Sequence, residues 1–381
     1  SDINMKKKYN LNIVADENMV GVPELFSHFG KIRFLSGRDI TADDVEFADV
    51  LLVRSVTRVD KDLLEGSSVR FVGSATIGVD HIDQIYLRQE GIRFAYAPGC
   101  NAAAVVQYVF SALCKLCPDW ELKTVGIVGC GNVGNLLRKK LLALNVGCRV
   151  YDPFLSSIEG SELDNLNYVA QSDIVSVHTP LTLDGRYPTA NMIDQKVINE
   201  MKDGALLINA GRGEVIDSEA LLDRLKFGKS LKVALDVWES EPNINIELME
   251  KIDLATPHIA GYSVDGKRSG TAMIYSAFLK WMEASAFGTT QIGIEPKLID
   301  LDESSTLAEC ILKSYDITID DKSMRSLINS VSSSTGIAEA FDHLRKVYPE
   351  RRDFTGSAIA NGGLNMSQQV KSRIASLGFL V

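Results

Sequence analysis

Residues 124–151 read TVGIVGCGNVGNLLRKKLLALNVGCRVY, and Asp152 follows them. The apolar run from Val125 to Val128 has the composition of a buried parallel strand, and it leads straight into Gly129, Gly131 and Gly134 ahead of a helical pattern from Val133 to Leu144. The glycines have separate jobs: one permits the tight turn, one lets a pyrophosphate approach the backbone, and one lets the helix pack closely on its strand. Phosphates would sit on the helix N-terminus, where free N–H groups and the positive end of the dipole favour an anion. A second apolar strand, 146–151, ends on Asp152, whose carboxylate would accept hydrogen bonds from ribose hydroxyls and repel a 2′-phosphate. Strand, glycines, helix, strand and acid in register predict a dinucleotide site that prefers NAD to NADP.

Composition sets the frame around this unit. The chain has 381 residues, 45% of them hydrophobic and 24% charged, enough for two or three domains with sizeable cores. A formal net charge of -10 argues against nucleic acid or an anionic membrane as partner, so an anionic ligand needs a local cluster of Arg or Lys. No apolar run is long enough to span a bilayer and SDINMKKKYN lacks the apolar core of a signal peptide, which leads to the expectation of a cytoplasmic protein. Cysteines at 100, 114, 117, 130, 148 and 310 show no paired disulfide spacing. Cys114 and Cys117 are formally CxxC, yet they fall within a helical pattern and read as buried small apolar residues, with no metal site implied.

Ahead of the nucleotide unit, strand-like runs LNIVA, DVLLV, VRFVGSA and IRFAYA alternate with helical stretches at 22–29 and 80–89. That alternation implies a parallel sheet covered by helices, with ligands at the carboxyl ends of its strands. Arg54-Ser55-Val56-Thr57 and Ser74-Ala75-Thr76-Ile77-Gly78 stand at two such ends, where they could bind a ligand or cap the next helix. A long helical pattern from Ala102 to Leu116 leads into the second unit, whose further strands are DIVSVHTP, GALLINAGRG, LKVALDVW and DLATPHIAG. A helical pattern over 264–286 is expected to return to the first domain. From about Gln291 a strand-like run at 293–301 and helices near 306–316, 319–330, 336–348 and 367–377 suggest a small α+β appendix. The fold expected is α/β: two Rossmann-like parallel-sheet domains with a cleft between them, 1–100 with 264–290 and 101–263, followed by the appendix at 291–381.

Arg212, Glu241 and His258 each follow an apolar strand of the second domain, so all three could converge where a nicotinamide would lie. Their types suit oxidation of a 2-hydroxy acid. A guanidinium can hold a carboxylate and the oxygen on the reacting carbon. An imidazole can take the hydroxyl proton as hydride leaves, and a carboxylate bonded to it fixes its tautomer. Singly, each could be a surface ion pair, a solvated turn or a cap; the nucleotide fingerprint in front of them favours chemistry. His28, His81, His178 and His343 read as structural, with His178 packing near the cofactor.

GIVGCGNVG, Asp152-Pro153, HTPL, INAGRG, ALDVWESEP and TPHIAGY together resemble the D-isomer-specific 2-hydroxyacid dehydrogenases. VRSVT, PGCNAAAVVQYVF, the HIAGY form and FDHLRKVYPERRDF are similar to a branch that oxidises a phosphorylated 2-hydroxy acid with NAD in vitamin B6 biosynthesis. The resemblance implies that Arg212, Glu241 and His258 are catalytic, that Ser55, Thr76 and Tyr262 meet the substrate, and that Asn132, Val133, Thr179, Asp236 and Gly261 join Gly129, Gly131, Gly134 and Asp152 on NAD. It also implies that the appendix makes a homodimer. The phosphate of such a substrate is a dianion, for which Arg54 is the expected partner, with Arg351 or Arg352 reaching in from the partner subunit. Alternatively these last two are solvated charges beside Glu350 and Asp353.

Overall fold

The computed structural model describes residues 9–285 and 293–381. The expected domain boundary at 290 and the end of the helical pattern at Ala286 lie outside them. The chain forms two compact units, Ser1–Asn101 with Val264–Glu295 and Ala102–Ser263 with Pro296–Val381.

Unit 1 holds a parallel sheet of β1 (Leu11–Asp16), β2 (Gly30–Leu35), β3 (Val50–Val53), β4 (Phe71–Ser74) and β5 (Arg93–Tyr96), in the order β2-β1-β3-β4-β5. The central strands β3 and β4 are buried at every position, which is why they read as continuous apolar runs. β2 has no such signature in the sequence. It is an edge strand on which Lys31, Arg33 and Phe34 are exposed, and charged residues are how sheet edges resist further pairing. The helix Val264–Met282 packs on this sheet through Ile274, Tyr275 and Phe278. Phe278 meets the rings of Phe29 and Phe71 edge-on at 4.8 and 5.5 Å. Gly73 admits that helix, because a Cβ there would lie 2.4 Å from Ile274 Cγ2.

Unit 2 holds a seven-stranded parallel sheet: β6 (Val125–Val128), β7 (Cys148–Tyr151), β8 (Glu162–Leu163), β9 (Ile174–Val177), β10 (Ala205–Asn209), β11 (Leu231–Leu235) and β12 (Leu254–Ala255). Their order is β12-β11-β10-β9-β6-β7-β8, so the chain runs outward from β6 through β7 and then crosses to β9. The carboxyl ends of β6 and β9 therefore form a topological switch point, the place where open α/β sheets bind ligands. The helix Ala102–Leu116 lies deep in this unit, with Val105 to Leu113 buried without interruption, Gln107 and Ser111 included.

Residues Pro296–Val381 contribute β13 (Lys297–Ile299), paired in parallel with β14 (Ser357–Ile359), and the helices Leu307–Ser314, Ile317–Asn329, Ser334–Lys346 and Gln368–Leu377. The first helix begins at a capping box in which Thr306 and Glu309 each satisfy the other's backbone N–H. The segment shares its interior with the nucleotide sheet: Ile311, Phe354 and Leu377 belong to the same buried cluster as Phe110 and Leu137. Each such side chain fully buried stabilises by about 1.5–3 kcal/mol. Polar groups add direction to the packing. Gln107 Nε2 donates to the Arg352 carbonyl at 3.0 Å, and Ser111 Oγ donates to the Tyr315 carbonyl and accepts from Ile317 N–H.

Burial pushes the Cys114 thiol up to about 12, unsuited to thiolate chemistry. No helix among the described residues is long and apolar enough to cross a membrane.

Candidate active site

The glycine turn after β6 is built by backbone alone. Gly129 sits at φ 88°, which a side chain would strain, and a Cβ on Gly134 would lie 1.9 Å from the Gly129 carbonyl oxygen. Gly131 is the N-cap of the helix Asn132–Ala143, with no side-chain cap on its first amides, and a Cβ there would meet nothing within 4 Å. Asn132 and Val133 open that helix. Uncapped amides beside open space are what a pyrophosphate requires.

Asp152 closes the far side of the turn. One oxygen accepts from Cys130 N–H at 2.9 Å and the other from Phe154 N–H at 3.0 Å; a carboxylate has about four acceptor sites, so capacity remains for ribose hydroxyls. The floor beneath Gly129 is His178-Thr179 at the end of β9. Thr179 Oγ1 is buried without a protein partner, an orphaned hydroxyl that a bound cofactor can satisfy. His178 Nε2 meets Ser176 Oγ at 2.7 Å while its Nδ1 is buried and unpartnered. Burial depresses its pKa to about 4 and keeps the ring neutral.

The catalytic candidates stand on the strands beyond. Asn209, at the end of β10, accepts from Gly211 N–H and donates to the Arg212 carbonyl, clamping the turn that carries Arg212. The guanidinium is partly exposed, with Nη1 on the Gly211 carbonyl at 2.8 Å. Gly213 lets this turn touch the next loop, since a Cβ on it would lie 2.0 Å from the Trp238 carbonyl carbon. That loop carries Glu241, whose Oε1 accepts from Trp238 N–H at 2.9 Å and whose Oε2 lies 2.8 Å from His258 Nδ1. A carboxylate on Nδ1 holds the hydrogen there and leaves Nε2 as the acceptor. Arg212, Glu241 and His258 thus belong to one unit, and Glu241 and His258 are bonded.

His258 adopts φ 56°, a left-handed conformation that costs a residue with a side chain about 1–2 kcal/mol. The surrounding loop absorbs this. His258 N–H donates to the Asp236 carbonyl at 2.7 Å, and Ile259 and Ala260 N–H donate to the two Asp236 carboxylate oxygens at 2.8 and 2.9 Å. Asp236, expected at the cofactor, is 1% exposed and also accepts from Thr256 Oγ1, so three of its about four acceptor sites are filled by the loop. Gly261 continues that loop. Tyr262, expected at the substrate, sets its ring edge-on to Tyr348 at 5.7 Å.

The remaining substrate candidates belong to unit 1. Arg54, at the end of β3, pairs through Nε with the buried Asp16 at 3.0 Å and is 35% exposed. Ser55 is exposed beside it. Thr76 Oγ1 bonds Ser74 Oγ and donates to the Gly78 carbonyl, while Ser74 Oγ meets His81 Nε2 at 2.8 Å.

The expectation for Arg351 is overturned. It is 6% exposed, and its guanidinium is spent on carbonyls of its own chain: Ile259 at 3.3 Å, Ala260 at 2.6 Å and Ala104 at 2.9 Å. It neither reaches outward to a phosphate nor stands in solvent. Sequence reasoning also passed over Asn209 and Asp16; an Asn just before a glycine turn, as in INAGRG, was a usable signal for the former.

Residues 111–260 match the D-isomer specific 2-hydroxyacid dehydrogenase NAD binding domain, and residues 295–378 match a domain of unknown function, DUF3410. The chain is 47% identical to the erythronate-4-phosphate dehydrogenase of Cellvibrio japonicus, over 90% of this chain and 93% of the relative. It is 44% identical to that of Klebsiella pneumoniae, over 91% and 93%. Among solved structures it resembles the D-lactate dehydrogenase of Aquifex aeolicus complexed with NAD and lactic acid, with a TM-score of 0.56 and 22% identity over 71% of this chain and 94% of that one.

Proposed function

The chain belongs to the erythronate-4-phosphate dehydrogenases, a branch of the NAD-dependent D-isomer-specific 2-hydroxyacid dehydrogenases, and from that premise we propose that it oxidises 4-phospho-D-erythronate to (R)-3-hydroxy-2-oxo-4-phosphooxybutanoate, a step toward pyridoxal 5′-phosphate. The observation that carries this reading is the 2.8 Å contact between Glu241 Oε2 and His258 Nδ1. With its Nδ1 hydrogen held by the carboxylate, His258 takes the C2 hydroxyl proton on Nε2, and Glu241 stabilises the imidazolium that results. Arg212 holds the substrate carboxylate and the C2 oxygen, which keeps the C2 hydrogen in one orientation. Bound NAD supplies the hydride acceptor.

The cofactor is held by the Gly129, Gly131 and Gly134 turn, the amides of Asn132 and Val133, Asp152, Thr179, Asp236 and Gly261. Ser55, Thr76 and Tyr262 contact the substrate, and Arg54, oriented by Asp16, takes the phosphate. The protein acts in the cytoplasm as a homodimer joined through the C-terminal segment, 291–381.

The test is NADH formation with 4-phospho-D-erythronate, 3-phosphoglycerate and unphosphorylated erythronate. Enzyme is used near stoichiometry, and a 2-oxo acid acceptor is added afterwards to reveal trapped cofactor. Preference for 4-phospho-D-erythronate is the expected outcome. Equal use of 3-phosphoglycerate would overturn the substrate, and no turnover with any of them would overturn the enzyme.

A further inference from the structure

We propose that Arg351 is a positioning residue for the reaction: from the C-terminal segment it fixes the peptide units on either side of Ala260, the second and third after His258, and with Asp236 on the first and second thereby sets the direction of the imidazole. The proposal rests on His258 being the base, as above. Ile259 and Ala260 are both buried, and their backbone groups are held by opposite charges. Asp236 takes their N–H groups at 2.8 and 2.9 Å, and Arg351 takes their carbonyls at 3.3 and 2.6 Å. A charged partner makes each of these hydrogen bonds stronger than a neutral one, and the peptide joining Ile259 to Ala260, held by Arg351 on its carbonyl and by Asp236 on its N–H, cannot rotate without breaking both. His258, one residue earlier and left-handed, inherits that fixed frame.

Arg351 is itself held in place. Its guanidinium lies 4.3 Å over the Tyr315 ring and bonds Tyr348 Oη, and the hydroxyls of Tyr315 and Tyr348 both donate to Asp320 Oδ2 at 2.7 and 2.8 Å. The same segment holds the far end of the loop, where Ser263 Oγ donates to Asp353 Oδ2 at 3.0 Å. A surface appendage has no reason to bury a guanidinium on the backbone of the catalytic loop. One that orients the loop does.

Arg351→Met removes the grip at similar length, and Arg351→Lys keeps the charge but loses the fork. The expected result for Arg351→Met is a fall in kcat of at least about 30-fold, with KM and the NAD dissociation constant each within about threefold and partial recovery in Arg351→Lys. In a Glu241→Gln background the same change should cost far less, because both act on one imidazole. The chain has five histidines, so the His258 ring signals can be assigned by NMR from their loss in His258→Asn. They should move in the Arg351→Met protein while the signals of His28 and His81 in unit 1 stay. Unmoved signals, additive effects with Glu241→Gln, or a tenfold rise in KM at constant kcat would each overturn the proposal. Should Arg351→Met not fold, Arg351→Lys decides alone: wild-type kcat sinks the idea, and a loss of kcat at unchanged melting temperature sustains it. Absence of wild-type turnover would instead strike the substrate assignment, and the ring signals would still report on Arg351.

Discussion

The glycine turn after β6 and the His258 loop after β12 stand at the same edge of one sheet, yet they are held by opposite means. The first depends on atoms that are missing: Gly134 has no Cβ to strike the Gly129 carbonyl, and Gly131 leaves open space beside uncapped amides. The second depends on charges brought from elsewhere, with Asp236 on its N–H groups and Arg351 on its carbonyls. A phosphate needs bare backbone, so any side chain there is a hindrance. A base needs a fixed direction, and a loop with a left-handed histidine does not supply that by itself.

The sharpest way to separate the loops is His258→Asn, which should lower kcat by about 10²–10⁴-fold while leaving NAD affinity unchanged. Steady-state kinetics with a separate NADH fluorescence titration checks both, and a parallel loss of NAD binding would break the contrast.

The next effect tests whether the floor of the glycine turn is a purely passive support. His178 is held neutral with a folded pKa of about 4, below the ordinary value near 6.5. Between those values the unfolded chain binds more protons, so stability falls as the pH drops through this window, by on the order of 3 kcal/mol once below about 4. Urea midpoints measured from pH 7 to pH 4 should show this slope, and His178→Gln should flatten it. An unchanged slope in the variant would mean that other groups drive acid unfolding.

Gly134→Ala should cost about 1–3 kcal/mol of stability by overpacking and should also raise the NAD dissociation constant, because relief requires the turn to move. Calorimetry and cofactor titration of the same variant check this, and wild-type values in both would disprove the steric account. The smallest change is Thr179→Val. Its orphaned hydroxyl gains nothing in the free protein, so the melting temperature without NAD should stay level or rise, while NAD affinity falls by no more than about tenfold.

Legibility followed the same division. The central strands β3, β4, β6, β9 and β10 were readable because burial on both faces writes a nearly continuous apolar run, in which Ser74, Ser176 and Asn209 are the polar residues. The edge strand β2 was not, since its exposed side carries Lys31, Arg33 and Phe34. The four C-terminal helices were readable from their periodicity to within about two residues at each end, the usual uncertainty of helix bounds. Of the strand expected over 293–301 only Lys297–Ile299 pairs, because its partner Ser357–Ile359 is equally short. In the site, strand ends pointed to Arg212, Glu241 and His258. Arg351 was misread because it sits in the charged run YPERRDF, where local composition argues for solvent.

Local pattern by itself determined that this chain has parallel α/β sheets, a backbone-built dinucleotide turn, and an Arg, a Glu and a His at successive strand ends of one domain. Those features depend on residues close together in the chain, where period, glycine spacing and strand ends leave a mark. Only the tertiary structure decided that Glu241 meets His258, that Asp236 is given to the loop, and that a guanidinium from the C-terminal segment closes on the peptides beside the base. The first joins two side chains on different loops; the other two are made by buried charges whose partners are backbone groups, and a backbone N–H or carbonyl leaves no trace in the identity of the residue that carries it.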